Sequence, residues 1–347
     1  MKRSAEQGVG QVLVTEARGC VTLQDEGRHG FQRIGVSVGG AMDPHAAELA
    51  NRLAGNPADA VLIELERSSR LALRCEGLSR LALAGACVPV RLDGRPVPFW
   101  ARIETNPSQP FAIGIEANRE SGRWSYLALS GGCRLVPVLG GFGTDLRAGW
   151  GGVEGRVLRL GDRITLGRVP KQSMEHSGRS GWHIRSQVSP DLRPSSGIQA
   201  RVLRILPGSH WNAFPPEVRQ RFLNAHYLVT PDSDRMGYRL SGPLLHPDPL
   251  LEIDSEPVTF GSIQIPPDGS PIVLMADHPT QGGYPRLAEI ISTDLGILAQ
   301  CRAGTKVEFR HVDEQVALMA LREWRQGMAR LWVGLGSGNE ARFRGKA

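Results

Sequence analysis

The chain is poor in cysteine, histidine and aromatic residues, and it has no apolar run near the ~20 residues that cross a bilayer. Its five cysteines, Cys20, Cys75, Cys87, Cys133 and Cys301, form no CxxC pair and leave one thiol over in any disulfide scheme. A reducing cytoplasm is therefore expected. The nine histidines are dispersed, without a His-Glu-x-x-His zinc motif, so no metal is expected. The Gly-Thr-Lys at 304 to 306 lacks the earlier glycine of a phosphate loop, "LGGFGTDLRAG" does not complete a dinucleotide fingerprint, and no Gly-x-Ser-x-Gly elbow occurs. Met42 is followed by Asp43, so no Met-Lys biotinylation site is present. The opening "MKRSAEQGVGQVLV" lacks the apolar core of a secretory signal. Basic residues, nearly all arginine, outnumber acidic ones by 41 to 35 for a net charge of +6. They are interleaved with acids instead of gathered into a stripe, which argues against a nucleic-acid partner, and no membrane partner is expected either.

What is present is length and punctuation. At 347 residues the chain suits two domains. Its 42 glycines and 24 prolines separate many short apolar runs, among them "RLALAG", "YLVT" and "PIVLMA", a spacing that predicts mainly β structure. Asp-Gly hairpin signals stand in "RLDGRPVPF" and "IPPDGSPIVL". "LRLGDRITLGRV" and "QCRAGTKVEFRHV" echo each other across the two halves. We expect a first domain over 10–170, a polar Ser/Gly-rich linker over 171–199, a second domain over 200–312, and a C-terminal helix and tail over 313–347.

Three helices are legible. Asp43 is placed to cap one that Pro44 opens, Gly55 and Pro57 stop it, and Ala46, Leu49, Ala50 and Leu53 share a face. "FPPEVRQRFL" starts a second, with Val218 and Phe222 one turn apart. After Val312, the residues Val316, Met319, Ala320, Trp324 and Met328 recur at helical intervals and read as a stripe docked on the protein's own surface.

A polar constellation lies in the second half. "PDSDRMGYRLSGP", residues 231 to 243, carries Asp232, Asp234, Arg235, Tyr238 and Arg239 without helix or strand periodicity, and reads as an ordered loop in which Gly237 and Gly242 give backbone freedom. Its arginines suit a carboxylate or phosphate clamp, or pairing with Asp232 and Asp234. Gln264 follows in "VTFGSIQIPPDG". In "PIVLMADHPTQGGYPR" an apolar strand ends at Asp277 and runs into Thr280, Gln281, Gly282, Gly283 and Tyr284. Polar groups at a strand end are rigidly held, and paired glycine N–H groups form anion-binding nests. Asp277 also reads as a simple turn cap. His278 and Cys133 read as ordinary loop and core residues.

"SDRMGYRLSGP", "FGSIQIPPDGSPIVLMAD" and "TQGGYPR", with "VTLQDEGRHGFQRIGV", "GAMDPHAAELANRLAGNP" and "GTDLRAGWGGVEGRVLRLGDRITLG", resemble the biotin-dependent carboxyltransferase family, from about Val12 to Val312 and in the family's order. That family includes allophanate hydrolase subunit 2, the C subunit of 5-oxoprolinase and part of the urea carboxylase transferase domain. The resemblance implies a mainly β fold of two cyclophilin-like β-barrel domains with a few short helices. The chain departs from the family pattern at Gly39, usually serine, at Gly141 to Thr144, usually Ser-Arg-Ser-Thr, and at Gln281, usually threonine.

The function implied is one component of an ATP-dependent 5-oxoprolinase that opens a cyclic amide. Its partners would be the B subunit of that enzyme, a protein similar to allophanate hydrolase subunit 1, together with a third hydrolase subunit and a small-molecule amide substrate. The complex would use ATP. Arg235 would then hold the substrate carboxylate, and Asp277, with Asp234 as the second catalytic candidate, would manage a proton. The Gly282–Gly283 amides would stabilise negative charge, within a substrate-binding set of Arg235, Tyr238, Gln264, Thr280, Gln281, Gly282, Gly283 and Tyr284. Two alternatives stay open: carboxyl transfer to urea or a related amide from biotin on a separate carrier, and a non-catalytic regulator that sequesters a kinase-inhibitor partner.

Overall fold

The computed structural model describes residues 10–116, 122–168, 182–188, 201–247 and 253–336. Most of the expected linker and all of 337–347 lie outside them, although Trp182–Gln187 within the linker range is a strand. The chain divides into two compact units. One comprises Met1–Glu26, Ala46–Arg193 and Gly334–Ala347; the other comprises Gly27–His45 and Pro194–Val333. The second unit thus takes in a segment from early in the sequence.

The first unit contains β1 (Gln11–Arg18), β2 (Val21–Gln24), most of α1 (Pro44–Ala54), β3 (Leu62–Glu66), β4 (Arg70–Glu76), β5 (Arg80–Gly85), β6 (Val90–Leu92), β7 (Arg95–Pro96), β8 (Ala101–Thr105), β9 (Phe111–Glu116), β10 (Trp124–Leu129), β11 (Arg163–Thr165) and β12 (Trp182–Gln187). They form two six-stranded sheets, ordered β11-β1-β4-β9-β6-β7 and β12-β8-β5-β10-β3-β2. In the first sheet burial alternates along β4 and β9, so one face is wet. In the second, β5 and β10 are buried at every residue, so both faces are covered. Each fully buried Leu of these strands contributes about 1.5–3 kcal/mol. The Asp-Gly signal of the first half holds: Asp93 and Gly94 turn β6 into β7 with φ of +46° and +76°, the left-handed pair such a two-residue turn needs. Helix α1 buries Ala46, Leu49, Ala50 and Leu53 as its spacing predicts.

The second unit contains β13 (Arg201–Pro207), α2 (Pro216–Asn224), β14 (Tyr227–Val229), β15 (Gly237–Ser241), β16 (Glu256–Pro257), β17 (Ser262–Gln264), β18 (Ile272–Leu274), β19 (Gln281–Gly282), β20 (Arg286–Ile290), α3 (Leu295–Ala299), β21 (Lys306–His311) and α4 (Glu314–Gly336, with Val333 its last residue in this unit). Seven strands close into a barrel, β13-β20-β17-β18-β15-β14-β21, whose closing β21–β13 pair is parallel. Closure leaves the sheet no long free edge. The two echoed segments end in different settings: β11 runs antiparallel to β1, whereas β21 runs parallel to β13. Phe222 of α2 is fully buried and stacks on Phe309 at 4.7 Å between ring centroids, so α2 forms and docks as its sequence predicts. The fold is mainly β with few helices, as the sequence indicates.

Two expectations need correction. On α4, Val316 and Met319 are 39% and 57% exposed. The docked stripe is Ala317, Ala320, Leu321, Trp324 and Met328, all half-buried, with the Trp324 ring 4.2 Å from His45. And "PDSDRMGYRLSGP" is not loop throughout. Its second half is β15, with Tyr238 and Leu240 turned inward. Gly237 and Gly242 do not occupy the left-handed region. Gly242 provides room instead, since a Cβ there would come within 2.6 Å of the Tyr227 ring.

Candidate functional site

The turn before β15 and the segment after β18 are brought together by the β15–β18 pairing, in which Gly237 faces Leu274. The backbone carries this pairing outward, with Met275 N–H donating to Met236 and Asp277 N–H to Arg235. That register places the Arg235 and Asp277 side chains side by side. Nε of Arg235 donates to Asp277 Oδ2 at 2.7 Å and Nη2 to Oδ1 at 2.8 Å, a bidentate pair. Nη2 also donates to the Gly40 carbonyl at 2.6 Å. The side chains are only 9% and 15% exposed. The guanidinium fork is thus filled by the protein's own carboxylate.

The early segment Gly27–His45 supplies the rest of the setting. A Cβ on Gly39, whose φ is +68°, would meet only Arg28 Nη1 and Asp277 Oδ1, each at 3.7 Å, so Gly39 faces a spot bounded by one cation and one anion. Arg28 is buried. Ser37 Oγ donates to the His278 carbonyl at 2.7 Å. His278 is 3% exposed, and its Nδ1 lies 2.7 Å from the Pro279 carbonyl. A carbonyl only accepts, so Nδ1 carries the proton of a neutral ring. Burial lowers the affinity of this imidazole for a second proton, against smaller opposing effects of the Pro279 bond and Asp277.

The remaining candidates divide. Gln264 is buried and its Nε2 lies 3.4 Å from the Tyr284 carbonyl; it also packs so tightly on Gly282 that any Cβ there would overlap its amide. Gln281 and Gly282 form β19 against β16, and the Thr280 carbonyl accepts from Val258 N–H at 3.2 Å. Gln281, Gly283 and Tyr284 are exposed. These residues make a second patch just after Asp277. Tyr238 is not part of either: it is fully buried, and its hydroxyl donates to the Ala299 carbonyl at 2.9 Å. Asp234 is exposed and accepts from the N–H groups of Met236 and Gly237 at 2.8 and 3.2 Å, the geometry of a turn-forming aspartate. Sequence reasoning missed Arg28, Ser37, Gly40 and the setting of His278, and only "DEGRHG" and "GGAMD" in the resemblance pointed toward that segment. Among the described residues no group of His, Cys, Asp and Glu could hold a metal ion, and no helix is long and apolar enough to cross a membrane.

Comparison with known proteins identifies the family of the chain. The family model "Carboxyltransferase domain, subdomain A and B" matches residues 34–311. The chain is 36% identical over 301 residues to the C subunit of 5-oxoprolinase from Escherichia coli, covering 86% of this chain and 90% of that one. It is 34% identical over 304 residues to its namesake in Haemophilus influenzae, covering 88% and 92%. It is 30% identical over 322 residues to the urea amidolyase of Lachancea kluyveri, covering 88% of this chain but 17% of that one. The solved structure of TTHA0988 matches with a TM-score of 0.71 at 30% identity, covering 87% of this chain and 55% of that one. This chain therefore spans about half the length of TTHA0988. The K. lactis urea amidolyase shares the fold, with a TM-score of 0.80 at 22% identity over 97% of this chain and 20% of that one. The chain belongs to the carboxyltransferase domain family, subdomains A and B.

Proposed function

We propose that this protein is the C subunit of an ATP-dependent 5-oxoprolinase, which opens the cyclic amide of 5-oxoproline together with the enzyme's B subunit and a third subunit. The observation that carries the reading is coverage: the similarity to the 5-oxoprolinase C subunits spans about nine tenths of both partners, whereas the urea amidolyase similarity uses a small part of a much larger chain.

In this reading Asp277 is the proton-handling group and Arg235 fixes its orientation, because a fork already filled by a carboxylate is poorly placed to grip a second one. Asp234 and Tyr238 serve the turn and the barrel core. The Gly282 N–H is engaged in the β16–β19 ladder, so the Gly283 amide, with Gln264 nearby, is the donor offered to an oxygen that gains charge as the ring opens, and a donor of this kind is worth about 3–4 kcal/mol of barrier. ATP supplies the driving force for opening a stable lactam. The Arg235–Asp277 donor set does not suit a polyphosphate, so the nucleotide is assigned to the companion subunits.

Carboxyl transfer from a separate biotin carrier to urea is the second reading, favoured by the description of the family model and by the amidolyase relatives. Co-purification with the companion subunits, followed by an assay of ATP-dependent glutamate release from 5-oxoproline, separates the two. Release that requires this chain supports the oxoprolinase. Biotin-dependent carboxylation of urea without glutamate release would replace it with the second reading.

A further inference from the structure

His278 is the one ring in this setting whose chemistry the reading above does not use. It is 3% exposed. Its backbone carbonyl is pinned by Ser37, and its Nδ1–H is spent on the Pro279 carbonyl. The opposite nitrogen, Nε2, therefore carries a lone pair, and no partner for it is found among the described residues. That nitrogen is not among the side-chain atoms sealed from solvent without a partner, so it stays within reach of a small molecule, and a rigid, mostly buried ring offers its lone pair in one direction only. The charged groups nearby are Asp277, the next residue in the chain, Arg235 paired with it, and Arg28 across the Gly39 spot.

We propose that His278 is a substrate-binding residue, whose Nε2 accepts a hydrogen bond from an amide N–H of the small molecule that occupies this site. The inference deepens the function proposed above and rests on it only for the identity of that molecule. A lactam such as 5-oxoproline and an open amide such as urea both present an N–H donor, whereas a tertiary amide does not. The departure from serine at Gly39 leaves open the spot beside Asp277, where the rest of such a ligand would lie.

The test uses the full chain co-purified with its companion subunits, and measures binding of 5-oxoproline, N-methyl-5-oxoproline and urea by calorimetry to the wild type and to His278→Phe and His278→Gln. At pH 7.5 the wild type is expected to prefer the N–H lactam over its N-methyl analogue by at least ~10-fold, the preference expected of a site with a buried acceptor. His278→Phe should erase that preference. The wild type alone gives a second readout that does not depend on the folding of either variant. Its affinity for the N–H ligand should hold through the ordinary histidine range and fall only at more acid pH, because burial lowers the ring's proton affinity and a protonated Nε2 cannot accept. Equal binding of both lactams by the wild type, affinity independent of pH, or no binding of any of the three compounds at millimolar concentration would overturn the proposal. Urea binding that is lost in His278→Phe, with neither lactam bound, would support His278 as the acceptor while removing 5-oxoproline as the substrate.

Discussion

Both units of the molecule contain bidentate arginine–aspartate pairs, and two of them, one from each unit, do different things. In the first unit Arg156 donates to both oxygens of Asp162 at 2.9 Å. The partners are six residues apart, and Asp162 also accepts from Arg159 N–H, so the pair staples its own loop. In the second unit Arg235 and Asp277 are 42 residues apart, and the Gly40 carbonyl that completes the arginine is 195 away. Such a pair cannot serve a local turn. It ties three chain segments together and leaves its carboxylate beside Gly39 and His278. Identical ionic chemistry is thus loop closure in one setting and the floor of a candidate site in the other.

That contrast breaks most visibly under truncation. Removing one partner of a buried pair strands a charge, so Arg235→Ala should cost about 3–5 kcal/mol. Arg156, 22% exposed, keeps solvent as a substitute, so Arg156→Ala should cost about 1 kcal/mol or less. Chemical denaturation of the two variants gives both numbers, and equal losses would erase the distinction.

The buried tyrosines sharpen it next. Tyr126 in the first unit donates to the Glu64 carboxylate at 2.9 Å, and Tyr238 in the second donates to a neutral carbonyl. Tyr126→Phe should therefore cost about 1.5–3 kcal/mol and Tyr238→Phe about 1 kcal/mol. Neither should alter the KM of the assembled complex. A KM change in Tyr238→Phe would return that residue to the substrate-binding set.

The two units should also respond to acid in different windows. His278 has a depressed proton affinity when folded, so it contributes stability that is present above about 6.5, the unfolded histidine value, and is lost as pH falls through its folded value. Asp162 is held down first by its hydrogen bond from Arg156, so its contribution is present above about 3.8 and lost below that. Unfolding followed from pH 7.5 to 4.5 should show a decline that His278→Gln removes and Asp162→Asn leaves in place. The smallest effect is expected at Gly282. A side chain there displaces only the end of Gln264, so Gly282→Ala should change stability by less than ~1 kcal/mol while lowering turnover.

Local chemistry was legible in the sequence because it is written within a few residues. Asp93–Gly94 specified a left-handed turn, and the spacing of Ala46 to Leu53 specified the buried face of α1. The strand hidden in "GYRLS" was harder to see, because only Tyr238 and Leu240 point inward and Gly237 carries no side chain to mark the outer face. On α4 the pattern gave the period but misplaced the stripe by part of a turn. Asp277 was visible as an acid at a strand end. The surrounding Gly40, Ser37 and Arg28 were not, because contacts across some 200 residues leave no periodic trace, and both the Gly40 contact to Arg235 and the Ser37 contact to His278 run through a backbone carbonyl. The same distance explains why Arg235 read as a free clamp.

The central claim is that Asp277 is the proton-handling group of an amide-opening complex. Asp277→Asn, co-purified with the companion subunits and assayed for ATP-dependent glutamate release from 5-oxoproline, tests it most directly. Asparagine keeps the shape and one acceptor for Arg235, so the complex should still assemble. The account predicts turnover reduced by about 10²–10⁴ in an intact complex; turnover within a few-fold of the wild type would contradict it.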